Sequence, residues 1–425
     1  MKVKKKASSF LWKSAVAVLT LVLLIALAAC GNSSTGGQSQ GGGQSGGGSG
    51  QNQGGGGDPI KIGVPTPLSA PGDYKAGEIN VNTVKLAQEH INNAGGINGR
   101  NVELVISDDQ GNVAKGVSLV QSMITKDNVS GIVGVWHANV ALAQVKVADE
   151  QKVPILLHYS WPDEITQMHS DYVFRVSPFN SQIAQLIAPF IVEQGYKNVA
   201  IMAEDSSYGI GFSKALEKAG QENGFNVETI VISSDSTDLS PELLKLKQKS
   251  PQPDLLVVAS VYQPMYLIPK QAGDVGLYPD THILAGWDYP SWSEEFWPTV
   301  GEYGKGIMYP SFYAPQLTLT ELGRKFKEDY KAKYQSDPPI YAYYLYDEMM
   351  LLAEAMKQSG SSDPQKVAEA LRNIEFEGTT GMIRFEREND PESAIYNQWM
   401  GHQIFLMRLN NVGDMGEQAE LLWSK

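Results

Sequence analysis

The chain has 425 residues, with 47 acidic and 34 basic side chains, a net charge of −13 and a single cysteine. That length allows two or three domains, each able to bury its own core. The charge speaks against a nucleic-acid binder, which shows a basic face to phosphate. One cysteine leaves no intrachain disulfide and no metal site built on several thiolates. The histidines never stand three or four apart, so no helical metal pair is offered, and neither metal nor cofactor is expected.

Residues 1–29 read as a secretory signal. Lys2, Lys4, Lys5, Lys6 and Lys13 make a basic start, and Ala15 to Ala29 is apolar except for Thr20. The run is short for a membrane span, which needs about 20 apolar residues. It ends in Leu27-Ala28-Ala29-Cys30-Gly31, a pattern that resembles the bacterial lipobox, and Cys30 is the expected lipidation site. Loss of residues 1–29 removes five lysines and no acids, taking the net charge from −13 to −18. Charge then cannot hold the body on an anionic membrane, and acyl chains must do so. Residues 30–57 are almost entirely Gly, Gln, Ser and Asn. Such a segment cannot bury apolar surface and serves as a disordered tether spanning about 30 Å.

After Asp58 the pattern changes to alternating strands and helices. Ile60–Val64 reads as a strand, and Val81, Val84, Leu86, Ala87 and Ile91 mark a helix stopped by Gly95-Gly96. Val102–Ile106 is the next strand and Val113–Ile124 the next helix. Ile132–Val135 and Val153–Leu157 repeat the strand signal with a helix between them. A second series starts at Val199–Met202, followed by a helix Gly211–Asn223, a strand Val227–Ile232, a helix near Leu243–Gln248 and a strand Leu255–Ala259. The expected fold is α/β: two lobes, each a parallel sheet with helices on both faces.

Ligands of open α/β sheets bind beyond the carboxyl ends of the strands. Those places carry Tyr74, Trp136-His137, Tyr159-Ser160-Trp161, Asp205 to Tyr208, Tyr262 and Trp287-Asp288. Aromatic walls with a few convergent polar groups are how small molecules are held, so a ligand cleft is expected there.

Several segments resemble a known family when taken together. They are the lipobox, Ile60 to Ser69, Ile91 to Arg100 with its Gly-Gly-Ile-Asn-Gly element, Val173 to Val176 and Asp205 to Gly209. The chain resembles the branched-chain amino-acid (leucine/isoleucine/valine) substrate-binding proteins of ABC transporters from about Ile60 to Tyr309, and weakly beyond. The resemblance implies a type I periplasmic-binding-protein clamp with three crossovers, closing on its solute by hinge motion. Lobe one would comprise 58–179 and 311–385, and lobe two 180–310 and 386–425. It also implies a permease and an ATPase as partners, a location on the outer face of the cytoplasmic membrane, and a monomer.

By the same resemblance Tyr74 covers the ligand from the first loop, Tyr208 and Tyr262 face it from the second lobe, and Asp288 pairs with its α-ammonium. The positions that grip the α-carboxylate read Ala138 and Trp161, with His137 and Ser160 beside them and Trp136 and Trp287 completing the walls. Alanine has no hydroxyl, and an indole offers a single N–H donor. The expected solute is therefore amino-acid-like, an amide or an amine, and not simply leucine. No Gly-x-Ser-x-Gly elbow, Cys–His pair or phosphate loop accompanies the paired acids Asp108-Asp109 and Asp163-Glu164, so no enzyme is expected. A sensor lipoprotein of the same fold, signalling through a membrane partner, is the alternative.

Overall fold

A computed structural model describes residues 57–425. The signal segment, Cys30 and the tether up to residue 56 lie outside the described residues. Strands β1 (Ile60–Thr66), β2 (Val102–Asp108), β3 (Gly131–Ile132), β4 (Ile155–Leu157) and β5 (Val173–Arg175) build the first sheet. Strands β6 (Asn198–Glu204), β7 (Asn226–Ile232), β8 (Leu255–Ala259), β9 (His282–Ala285) and β10 (Met308–Ser311) build the second. A small hairpin, β11 (Phe376–Glu377) with β12 (Met382–Ile383), stands apart. The chain closes with β13 (Glu386–Arg387), β14 (Tyr396–Gln398), β15 (Phe405–Arg408) and β16 (Glu420–Ser424).

The two sheets repeat one another. The first runs β13-β14-β5-β4-β3-β1-β2 and the second β16-β15-β10-β9-β8-β6-β7. Their cores are parallel, joined by helices that cross from strand to strand, which is why β1 and β8 are buried along nearly their whole length. The edges differ from an all-parallel expectation, because β13 pairs antiparallel with β14, and β15 antiparallel with both β10 and β16. In each lobe the strand order reverses beside the first strand: between β1 and β3 in one lobe, between β6 and β8 in the other. Such switch points leave crevices at the carboxyl ends of the strands, where ligands are held.

Local chemistry sets the boundaries. The helix Tyr74–Asn93 starts where the Asp73 side chain accepts the Ala76 amide, and it ends at Ala94 before Gly95 and Gly96, whose φ angles are 94° and 74°. A Cβ on Gly96 would stand 2.2 Å from the Arg100 carbonyl oxygen, so glycine is required there. The Gly-Gly-Ile-Asn-Gly element is thus a helix stop and turn, with Ile97 and Arg100 exchanging backbone hydrogen bonds. The helix Ile340–Ser359 packs on the first lobe and is buried along most of its length, including Tyr341, Tyr343, Tyr344 and Tyr346.

One expected boundary is corrected by the topology. Residues 386–398 were assigned to lobe two, yet β13 and β14 extend the first sheet, with Gln398 paired to Arg175. The cause is a buried side-chain knot. Arg175 Nε donates to Gln398 Oε1 at 2.6 Å, and Gln398 Nε2 donates to the carbonyls of Ser177 and Trp399 at 2.8 and 2.7 Å. The last return to the second sheet therefore falls between Trp399 and Ile404. His402 lies there, bonded to the Val176 carbonyl at 3.0 Å and packed against Phe312, Tyr344 and Trp399. All three crossovers meet around this histidine. Among the described residues no helix is long and apolar enough to cross a membrane.

Candidate functional site

The two switch points face each other across a cavity of about 40 Å³, a few times the roughly 10–15 Å³ that one water needs. The first lobe contributes Trp136, His137, Ala138 and Asn139 after β3, and Tyr159 and Trp161 after β4. The second contributes Glu204, Ser206 and Tyr208 from the end of β6, Val261 and Tyr262 after β8, and Trp287 after β9. Most of these stand where a strand ends and its crossover begins, so backbone geometry alone aims them at the cleft.

The walls are aromatic and tightly fitted. Trp136 stacks on Tyr159 with centroids 5.4 Å apart, and His137 stacks on Tyr262 of the opposite lobe at 5.7 Å. Trp161 meets the edge of Tyr208 across the cleft, also at 5.7 Å. Ser207 of the second lobe donates its amide to Asn139 Oδ1 at 2.9 Å. The indole Nε1 of Trp161 and the hydroxyl of Tyr208 are buried without a protein partner, which leaves two hydrogen-bonding atoms in the cavity wall.

Charge is arranged asymmetrically. His137 Nε2 accepts the Asp73 amide at 3.1 Å, and burial pushes its pKa down to about 4, so the ring is neutral at pH 7. Glu204 is buried in the second lobe's wall. Its carboxylate accepts Ser206 Oγ at 2.6 Å, Ser260 Oγ at 2.7 Å and the Val261 amide at 2.8 Å, tying together the loops that carry Tyr208 and Tyr262. Burial raises its pKa against the pull of those donors. No lysine or arginine lines the cavity. Among the described residues no group of three His, Cys, Asp or Glu could hold a metal ion.

Of the residues expected at the site, Trp136, His137, Ala138, Trp161, Tyr208, Tyr262 and Trp287 line the cavity. Ser160 lies behind it, its Oγ donating to the Trp136 carbonyl at 2.7 Å. Asp288 is also behind the lining, and its Oδ1 accepts the Tyr159 hydroxyl at 2.5 Å. Burial pushes the Asp288 carboxyl up to about 6, with the Tyr159 bond pulling it back down. Tyr74 lies outside the lining and is 46% exposed. The helix it opens buries Ala76 and Gly77 instead, and a Cβ on Gly77 would stand 1.5 Å from the Pro67 carbonyl oxygen, so that turn is pressed inward. Tyr159 and Ser206, which stand among the expected strand-end residues, also line the cavity, whereas the lining residues Glu204, Asn139 and Val261 lie outside that expectation. The signal for Glu204 was an acid ending an otherwise apolar buried strand.

Comparison with known proteins agrees with this geometry. The periplasmic binding protein family model matches residues 59–414. The leucine-, isoleucine-, valine-, threonine- and alanine-binding protein of Pseudomonas aeruginosa is 26% identical over 360 residues, 81% of this chain and 91% of that protein. The Leu/Ile/Val-binding protein homolog 7 of Brucella abortus is 27% identical over 356 residues, 79% and 87% of the two chains. A solved leucine-binding protein from Thermotoga maritima superposes with a TM-score of 0.74 at 25% identity, covering 86% of this chain and 98% of that one. A branched-chain amino acid transporter substrate-binding protein from Streptococcus pneumoniae, solved with isoleucine, shares the fold with a TM-score of 0.73 at 24% identity, covering 86% and 99%. With two matching sheets, facing switch points and a family match across nearly all the described residues, this chain belongs to the type I periplasmic binding proteins of ABC transporters.

Proposed function

We propose that the chain captures a small amino acid or amino-acid-like amide between its lobes, outside the cytoplasmic membrane, and delivers it to an ABC permease and ATPase. The observation that carries this reading is the facing pair of switch points around one aromatic-walled cavity. The polar ends of that cavity suit a zwitterion. The helix Ala138–Glu150 begins at His137 with no side chain capping it, so first-turn amides remain for a carboxylate, and Trp161 Nε1 adds a donor. That arrangement replaces the missing hydroxyl at Ala138. On the second lobe Glu204 is the carboxylate of the lining, so an amine end is directed there. The cavity volume of about 40 Å³ favours a small side chain. The relatives' names, with leucine, isoleucine, valine, threonine and alanine among their ligands, support the same class.

Cys30 is proposed as the lipid anchor, holding the acidic body near the permease by acyl chains. Intact-mass analysis of the exported protein tests this: a diacylglyceryl adduct on Cys30, absent in Cys30→Ser, is expected, and an unmodified mature Cys30 would contradict it. A thermal-shift screen of amino acids, amides, ureas, polyamines and aromatic acids tests the solute class. A solute at 100 times its Kd should add about 2.7 kcal/mol of stability. Stabilisation by aromatic acids or polyamines alone would overturn the amino-acid reading.

A further inference from the structure

Behind the aromatic wall of the first lobe runs a buried polar chain that takes no part in lining the cavity. Glu348, in the helix Ile340–Ser359, and His158, directly before Tyr159 at the end of β4, both have fully buried side chains. Glu348 Oε2 accepts the Gly134 amide at 3.2 Å and stands 3.6 Å from His158 Nδ1. We infer that Glu348 is a positioning residue for the cavity wall, and that with His158 it forms a charge-neutral, proton-holding pair that sets the loops after β3 and β4. The consequence for binding rests on the proposed capture of a solute in that cavity.

The hydrogen bonds decide where the protons are. Asn80 Nδ2 donates to Thr66 Oγ1 at 3.1 Å, so Asn80 turns Oδ1 toward His158 Nε2, 3.3 Å away, and Nε2 is the donor. Nδ1 then faces Glu348 Oε2 and has no hydrogen-bond partner of its own. A bare ring nitrogen against a carboxylate oxygen would oppose two acceptors, and an uncompensated buried carboxylate is costly. A proton therefore sits on Nδ1 or on Oε2, and either placement leaves the pair without net charge. Burial raises the Glu348 pKa, and His158 pulls it back down. The other acid beside it is Asp347 on its own helix, whose oxygens accept the Thr379 amide and hydroxyl. Among the described residues no lysine or arginine pairs with Glu348.

Both contacts lead to the wall. Gly134 has a φ of 80°, and a Cβ there would stand 2.8 Å from Val64 Cγ1, so the turn into Trp136 is tight and Glu348 pins its amide. His158 packs on Trp136 with centroids 5.9 Å apart and carries Tyr159 as its next residue. Trp136 and Tyr159 both line the cavity.

Glu348→Gln and Glu348→Leu, made in the full chain, separate positioning from packing. The glutamine carbonyl can still accept the Gly134 amide while its NH₂ donates to Nδ1, and leucine can do neither. Solute-free near-ultraviolet circular dichroism reads the stacked Trp136 and Tyr159. The glutamine variant should keep the wild-type signal, and the leucine variant should lose part of it with its far-ultraviolet spectrum unchanged. Calorimetric affinity for L-leucine or L-alanine should stay within about twofold of wild type for glutamine and fall about tenfold for leucine. Nitrogen-15 NMR of the wild type needs no variant to fold, and should show His158 Nε2 protonated between about pH 5 and 8. An unprotonated Nε2 at pH 7 would overturn the pair. So would a glutamine variant as impaired as the leucine one, or a leucine variant with wild-type near-ultraviolet signal and affinity. The spectroscopic arms use no solute, so a wild type that binds neither amino acid would count against the proposed solute class while those arms still decide the pair.

Discussion

Replacing Arg175 by lysine tests whether the first lobe's ligand wall is held from behind by one side chain. Arg175 is fully buried, yet its hydrogen bonds all go to neutral acceptors. Its guanidinium donates to Gln398 Oε1 at 2.6 Å, the Pro162 carbonyl at 2.7 Å and Thr166 Oγ1 at 2.6 Å, with the Ser160 carbonyl at 3.4 Å. Burial lowers its pKa to about 9, offset in part by Asp163 and Glu164, so it remains a cation at pH 7. Ser160 and Pro162 flank Trp161, and Gln398 belongs to the returning strand β14, so one residue braces both the cavity wall and a crossover. A lysine keeps the charge but brings its donors to one point. It can satisfy one of the three short contacts well. Hydrogen bonds to a charged group are worth about 1.5–3 kcal/mol each, so losing two costs about 3–6 kcal/mol. Urea unfolding of Arg175→Lys, followed by circular dichroism, should show a lower midpoint at unchanged m-value. A loss below about 1 kcal/mol at constant m would mean that the guanidinium contacts contribute little beyond what an ammonium provides, and the reasoning would be wrong.

Two further outcomes are expected. Asp347 accepts the Thr379 amide at 2.8 Å and its hydroxyl at 2.7 Å, yet burial pushes its carboxyl up to about 7. Because that folded-state pKa lies above the unfolded one, its contribution is full below about pH 4 and is lost as pH rises through 7. Asp347→Asn should therefore gain stability relative to wild type, by a few kcal/mol, between pH 4.5 and 8; a pH-independent difference would contradict this. Gly286→Ala would place a Cβ 2.6 Å from the Tyr208 hydroxyl and 2.7 Å from the Val258 carbonyl oxygen, which sits in a central strand and cannot retreat. Tyr208 should be displaced, with overpacking costing about 1–3 kcal/mol and solute binding weakened; unchanged calorimetric affinity would show that Tyr208 does not face the solute.

The alternating body was legible because a parallel strand covered on both faces must be apolar almost throughout. Val199–Met202 and Leu255–Ala259 could hardly be read otherwise, and the structure extends the first only to Asn198–Glu204. The rule that ligands gather after strand ends then found Trp136, Trp161, Tyr208 and Tyr262 without any contact being known. What escaped was non-local. Strands β13 and β14 have two and three residues and polar composition, so no periodicity marks them. Their place in the first sheet follows from Gln398 meeting Arg175, more than two hundred positions away. Asp288 was expected to face a ligand because it follows a strand, but Tyr159 comes from the other lobe to meet it. Tyr74 follows the first strand's loop as expected, and only the inward packing of Ala76 and Gly77 turns it toward solvent.

The central claim, capture of a small amino-acid-type solute between the facing switch points, is most directly tested by titration calorimetry on wild type and Trp161→Ala. Alanine, threonine, valine, leucine and glycinamide are the titrants. The account predicts that at least one binds wild type with its affinity reduced about tenfold or more in the variant, since the indole N–H and its wall are lost together. Tight binding that is indifferent to Trp161→Ala would place the solute elsewhere and contradict the account.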